Sequence, residues 1–589
     1  MEMKAYLKIL IVSAGVLLLQ SSCSEDWLEP KPHSFYTPEN VFVDKAGFEA
    51  LLITMRKNLR TEYTGSMNFT VSEFAASDLA VPLTQLDFFN LTPNTSRYYK
   101  FLSLFTDAYV VIRNANVLIS RIDQVEWEKE EDRNVLLAEA YWHRAYWYYR
   151  LVNTYGDVPF TGEEVLGAKL DYQTHSRWAI LDKIQADLEF AVQWLPEQAA
   201  PNAISRGAGY HLLAKVCLAN LEFDKAIQAA TEVIDGPYRL MTQRFGAYAD
   251  QGAYDLIWDL HRSENVNIPQ NTETILAIVD RFDAPPVARS EGLYTMRHYH
   301  SAWHAATVLD SQGKRGTVAS GPMYDSLGRG NSNVRPTPHF QYDLWNDGEH
   351  TWENTPDLRR SDGNWKDLDE LFYNNPASVD YGKVIDPGNF AAATDTFFTL
   401  YAMPVYKTMV LEKDPQAPPY GGHGDWYVFR LADTYLLRAE AYYWKDRLSE
   451  AADDLNAVRG RAQALPVQAG EVTIDFILDE RARELYAEEP RHSELVRVSY
   501  ILAALNRNGY SLNNFSEKNY FYDRLMRVNI LYEQKVFSNS GGTAAIAPFH
   551  VLWPVPASVI TANTMGVINQ NKGYDGDHRN VPPLETIEE

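Results

Sequence analysis

The chain has 589 residues, 46% of them hydrophobic and 22% charged, which is the composition of a globular protein with material for a large core and excludes a disordered or fibrous chain. A formal charge of −24 leaves no basic stripe for a phosphate backbone and excludes nucleic acid as a partner. Two cysteines are too few for a disulfide-built secreted domain or a cysteine-based zinc site.

Lys4 and Lys8, an apolar run from Ile9 to Leu19, and the small residues Ser21 and Ser22 form a secretory signal. The run is too short for a membrane span, which takes about 20 apolar residues. Cys23 follows directly, and the segment resembles a bacterial lipobox with Gln20 in place of the usual Leu. The expectation is removal of residues 1–22 and lipidation of Cys23, against the alternative of ordinary cleavage near Ser22 with an unmodified cysteine. Ser24, Glu25 and Asp26 are similar to the acidic stretch that sends such lipoproteins to the cell surface. Because Glu2, Lys4 and Lys8 leave with the signal, the mature chain is one unit more acidic. Cys217, in the helical run "YHLLAKVCLANL", then has no disulfide partner and reads as a core filler.

Residues 23–45 are proline-punctuated and read as a tether, ahead of an N-terminal helical part over 46–239. There "VLLAEAYWHRAYWYYRL", residues 135–151, predicts a helix buried on several faces and stopped by Gly156 and Pro159. Residues 206–234 predict a helix pair that breaks near Phe223. Ala214 precedes Ala226 by the same 12 residues that separate Ala439 from Ala451, an internal repeat that lets antiparallel helices approach closely, as in tetratricopeptide units. Isolated helix pairs are the alternative, and the segment around Ala140 and Ala145 is a candidate further unit. Residues 240–425 are rich in Gly, Pro, Asn and aromatics, and predict ordered loops with small sheets, among them a strand in "ETILAIVDRF". Helical patterning returns over 426–589, where Asp479, Glu480, Arg483 and Glu484 stand three and four apart as structural ion pairs. The turn "YDLWNDGEH" has acids but not the spacing of a calcium loop, and no motif calls for a cofactor.

Taken in order, "DWLEPKP", "EAYWHRAYWYYRLVNTYGDVPF", "ADLEFAVQWLP", "AKVCLANLEFDKAIQAATEVID", "FRLADTYLLRAEAYYWKDRLSEAADDLNAVRGRA", "ILDERARELYAEEPRHSELVR" and "LWPVPASVITAN" with "INQNKGY" resemble the SusD/RagB family over nearly the whole mature chain. The resemblance implies a mainly helical fold with tetratricopeptide-like pairs as scaffold and a loop-rich ligand side. It also implies a non-catalytic, lipid-anchored protein at the outer-membrane surface that captures oligosaccharides for a SusC-like TonB-dependent transporter.

Sugars are held by aromatic rings on their C–H faces and by polar side chains on their hydroxyls. Two irregular segments carry that mixture. The first supplies Asp78, Asp87, Phe88, Phe89, Asn94, Arg97 and Tyr98; the second, "SEGLYTMRHYHSAWHA" and the turn after it, supplies Tyr294, His298, Tyr299, Trp303, His304 and Tyr324. For each, the alternative is packing of the loop itself. Motifs of metalloproteases, serine hydrolases and phosphate-binding loops do not occur. Two alternatives to glycan capture stay open at this point: a surface glycoside hydrolase, which needs only two suitably spaced carboxylates, and a scaffold binding peptide through a tetratricopeptide-like groove.

Overall fold

A computed structural model describes residues 41–82, 91–94, 99–392, 394–529, 532 and 546–588. Helices α1 (Lys45–Asn58), α2 (Phe69–Ala75), α3 (Ser103–Arg121), α4 (Glu130–Tyr155), α5 (Arg177–Trp194), α6 (Arg206–Ala219) and α7 (Phe223–Ile234) precede the loop-rich region. Helices α8 (Leu431–Trp444), α9 (Leu448–Arg461), α10 (Ile474–Leu485), α11 (Arg491–Ala504) and α12 (Tyr520–Val528) follow it. Each of α3 to α9 packs on the next in sequence, so α7 lies against α8 although about 200 residues separate them. The loop-rich region is therefore an insertion in a continuous array of helices.

The repeat is visible in detail. Ala214, Ala226, Ala439 and Ala451 are all buried where partner helices meet. In both pairs the turn follows the first alanine by seven residues and has the same hydrogen bonds: Glu222 N–H to Cys217 C=O and Arg447 N–H to Tyr442 C=O, each five residues back. Such a turn requires a left-handed residue, usually glycine. Here it is Leu221 at φ 64° and Asp446 at φ 57°. Cys217 is fully buried on α6, and burial pushes its thiol up to about 12, so it is inert.

Helix α4 is longer than its apolar pattern and ends at Gly156, whose φ of 72° closes it. Its alanine and aromatic sequence buries nearly the whole second half, with Trp142, Trp147, Tyr148 and Tyr155 at 1% exposure or less. Three segments that stand far apart in sequence meet at its end. Trp553 donates its backbone N–H to Thr154 C=O and packs edge-on against Phe101 at 4.6 Å. Asn571 donates to the carbonyls of Tyr155 and Trp553, at 2.8 and 2.7 Å. Asp157 accepts the Arg177 N–H and ties the same corner to α5.

Among the described residues the strands form antiparallel pairs: β1 (Ala80–Pro82) with β5 (Val334–Pro336), β2 (Val158–Pro159) with β3 (Thr174–His175), and β4 (Thr274–Ile278) with β6 (Trp426–Arg430). The apolar run of β4 is the predicted strand, and β6 delivers the chain into α8. Trp303, Trp345 and Trp365 are buried, so the insertion is folded against the rest of the protein. The "YDLWNDGEH" turn is held by itself, with Asp347 accepting the N–H groups of Glu349 and His350.

The ion pairs expected in α10 exist and are buried. Glu480 takes Arg359, Arg459 and Arg483, and Glu484 takes Arg359, Arg430 and Arg461. They join the insertion (Arg359), β6 (Arg430) and α9 (Arg459, Arg461) through one helix face.

Candidate functional site

Four of the sequence-selected residues prove to be structural. Asp78 is fully buried beyond α2, with Arg491 donating to both carboxylate oxygens at 2.9 and 2.8 Å and Arg524 adding a third bond at 2.7 Å. Burial alone would raise its pKa, but the two guanidinium groups outweigh it and hold the carboxyl well below the ordinary range. It staples α11 and α12 to the N-terminal half and is not available to a ligand. Tyr299 packs edge-on between Phe74 and Tyr486, at 6.4 and 5.6 Å. Trp303 has no exposed surface and meets Tyr324, itself 7% exposed, at 6.4 Å. Ring density marked this segment, but composition does not tell which side of a turn faces the core. Asp87, Phe88, Phe89, Arg97, Tyr98 and Cys23 lie outside the described residues.

Because Trp303 fills the interior, Trp303→Phe is expected to act on the fold. We expect a loss of about 2 kcal/mol from the smaller ring and the cavity it leaves. A urea midpoint equal to that of the parent chain would contradict this placement.

The same segment does bring rings to the surface, in company with residues that the sequence did not single out. A strap over 418–422, "PPYGG", lies along residues 292–297: Gly421 C=O accepts the Tyr294 N–H at 2.8 Å and Tyr420 C=O accepts the Arg297 N–H at 2.8 Å. A side chain at Gly421 would meet the Thr295 nitrogen at 2.5 Å, and its φ of 100° favours glycine. This close approach stacks the Tyr420 ring on Tyr294, with centroids 5.5 Å apart and planes 15° from parallel. Arg297 sits 4.7 Å from the Tyr420 centroid and Arg329 5.8 Å, as cation–π neighbours. Tyr294 and Tyr420 both stay half-exposed. Tyr294 itself has φ 55°, a strained backbone for a tyrosine.

The residues just before Tyr294, Ser290 and Glu291, line a cleft of about 750 Å³, whose other walls include Lys57, Arg60, Asn94, Lys100 and Asp107. One hydrogen-bonded wall joins the two. Gly65, on the cleft, donates to Gly292 C=O at 2.8 Å and accepts from His298 Nε2 at 3.1 Å. His298 Nδ1 meets Asn333, whose carbonyl accepts the Tyr99 hydroxyl at 2.7 Å, and Tyr99 returns to the cleft. Burial lowers the His298 pKa to about 4, so its ring is a neutral strut. Ser290 is clamped by Asp280, which also accepts from His423 Nδ1 at 2.9 Å. Burial also raises the Asp107 carboxyl on the cleft wall. Stacked rings beside a polar, open cleft suit an elongated ligand that has both apolar faces and hydroxyl edges.

Two family models match the chain: one described as the SusD family, over residues 304–574, and one described as "Starch-binding associating with outer membrane", over residues 26–218. The chain belongs to the SusD/RagB family. SusD-like protein P25 of Formosa agariphila is 23% identical over 530 residues, which is 84% of this chain and 91% of that protein. SusD-like protein P2 of the same organism is 29% identical over 253 residues, covering 40% of this chain and only 47% of that protein's length. A solved structure titled "Laminarin binding SusD-like protein" superposes with a TM-score of 0.58 at 21% identity, covering 90% of this chain and all of that one, and so shares the fold. SusD proteins bind and do not catalyse. The cleft therefore needs no bond-breaking groups to be functional.

Proposed function

We propose that the protein is a cell-surface glycan-binding lipoprotein which captures oligosaccharide in the cleft beside the Tyr294–Tyr420 stack and passes it to a SusC-like TonB-dependent transporter. In this reading residues 1–22 are removed, Cys23 carries the lipid, and the outer membrane holds the chain through that anchor alone. Mature residues 23–589 then act as one unit. The observation that carries the reading is the partly exposed ring stack, held by a glycine strap on the segment whose preceding residues, Ser290 and Glu291, line a cleft of about 750 Å³, in a member of a binding family. Similarity to a laminarin-binding SusD-like protein and to the starch-binding protein SusD of Bacteroides thetaiotaomicron agrees with a polysaccharide ligand. Phe88, Phe89, Arg97 and Tyr98 stay candidate contacts, because Asn94 and Tyr99, which flank residues 95–98 in sequence, both line the cleft.

Tyr420→Ala tests it. Removing one ring from a sugar-stacking platform is expected to weaken retardation in polysaccharide-containing native gels at least tenfold in apparent Kd, while thermal melting shifts little, because the ring is half-exposed. Undiminished retardation of Tyr420→Ala by a glycan that retards the parent protein would move the site elsewhere.

A further inference from the structure

The charge around this site runs against the charge of the chain. On a protein of net −24, Lys57, Arg60 and Lys100 line the cleft, opposed there by Asp107 and Glu291, and Arg297 and Arg329 flank the ring stack. Some surface arginines elsewhere find carboxylates: Arg133 pairs with Asp123 and Arg281 with Asp425. Among the described residues, by contrast, no carboxylate oxygen lies within 4.0 Å of the charged nitrogens of Lys57, Lys100, Arg297 or Arg329. Arg60 has only a distant partner, Asp280 at 3.9 Å. Lys100 and Arg297 are half-buried, and Arg297 Nε is wholly enclosed without a hydrogen-bond partner.

A cation withdrawn from water without a counter-charge loses solvation that something must replace. Guanidinium groups match the planar oxygens of a carboxylate or the tetrahedral oxygens of a sulfate through paired donors, and lysine adds a point charge. A ring-stacked ligand that brings its own negative groups would supply a counter-charge to cations such as Lys100 on the cleft and Arg297 at the stack, and would be drawn to them from solution. We infer that the glycan taken by this site is anionic, carrying carboxylate or sulfate on its sugar rings. The inference rests on the glycan-binding reading above and names its substrate class.

The test runs the purified mature protein through native gels containing carboxylated polymers (polygalacturonate, alginate, hyaluronan), sulfated polymers (chondroitin sulfate, carrageenan) and neutral ones (laminarin, starch, xyloglucan, mannan). Retardation by at least one anionic polymer and by none of the neutral ones is expected. Loss of that retardation on methyl-esterification assigns the charge to carboxylate, and loss on desulfation assigns it to sulfate. The Lys100→Gln and Arg297→Gln variants, first checked for parental melting temperature, should each weaken binding about tenfold, and raising NaCl from 50 to 300 mM should weaken the parent similarly through screening. Retention of a neutral polymer with a salt-independent Kd would overturn the inference and leave glycan binding standing. Anionic retardation unchanged in both variants would also overturn it, as non-specific ion exchange. No retardation by any polymer would overturn both the inference and the glycan reading beneath it.

Discussion

Glu484→Gln is expected to destabilise the protein by about 4 to 5 kcal/mol, the upper range for removing one member of a buried ion cluster. Glu484 is 1% exposed. One of its carboxylate oxygens accepts from Arg430 Nη1 at 2.5 Å and from Arg461, and the other accepts from Arg359 Nη1 at 2.9 Å. Glutamine keeps the shape and removes the charge. Whichever way its amide turns, an NH₂ donor replaces an acceptor and meets a guanidinium donor. The remaining carboxylates do not compensate, since Glu273 is already shared by Arg430 and Arg461, and Glu488 by Arg430 and Lys407. Lys407 shows how tight the balance is: burial, helped by Arg430, lowers its pKa to about 8. The exposed pair Lys445–Asp224 supplies the contrast, because Asp224→Asn should change stability by less than about 0.5 kcal/mol. Urea midpoints of the two variants measure the difference, and equal shifts would show that the cluster is not the keystone between the insertion and the helices.

This cluster also marks where sequence was readable. Spacing of Glu480, Arg483 and Glu484 on one helix predicted ion pairing, and it exists, but the partners Arg359, Arg430 and Arg461 come from three other segments that no local pattern connects to α10. The helix pairs were legible because the 12-residue alanine offset states the closeness of the two helices directly, and the shared left-handed turn at Leu221 and Asp446 repeats it. Strand β4 was legible from its apolar run, whereas its partner β6 stands about 150 residues later and owes its place to the array closing around the insertion. For the site, aromatic density selected the stretch 290–305 but could not separate Tyr294, which is partly exposed, from Tyr299 five residues on, which is core. Tyr420 was invisible for a different reason. Its strap has no periodicity, and only the backbone bonds of Gly421 and Tyr420 to residues 294 and 297 bring its ring onto Tyr294. Asp78 misled because an acid in a proline-broken stretch reads as exposed, when its partners Arg491 and Arg524 lie more than 400 residues away.

Stability is expected to fall in two stages as the medium is acidified. The first belongs to buried histidines. Burial lowers the pKa values of His298, His300 and His550 to about 4 and that of His492 to about 3, against an ordinary 6.5. The unfolded chain binds protons at these positions below pH 6.5 while the folded chain refuses them, so each histidine withdraws stability from pH 6.5 down to about 4. His300 shows that burial is the cause: the ring is fully enclosed, and its pKa is low although the bond from Nδ1 to Leu327 C=O, at 2.6 Å, favours the protonated form. The second stage belongs to carboxylates that burial alone would raise but that arginines hold low. Glu480 lies at about 2 against 4.5, and Asp78, Asp479, Glu484 and Glu494 are likewise held well below their ordinary values. A depressed carboxylate contributes its full stabilisation above the unfolded pKa and loses it as pH falls from about 4.5 toward the folded value, at about 1.4 kcal/mol per pH unit for each proton. Glu489, raised chiefly by burial, works in the opposite sense and softens the slope. The urea midpoint should therefore begin to decline below pH 6.5 and decline more steeply below about 4.5, where the carboxylates add to the histidines, and Glu480→Gln should lower the midpoint at pH 7 while flattening the steeper limb. A midpoint constant from pH 7 to 4 would show that the histidines are protonated in the folded protein. A steep limb unchanged in Glu480→Gln would show that the ion cluster does not carry the acid response.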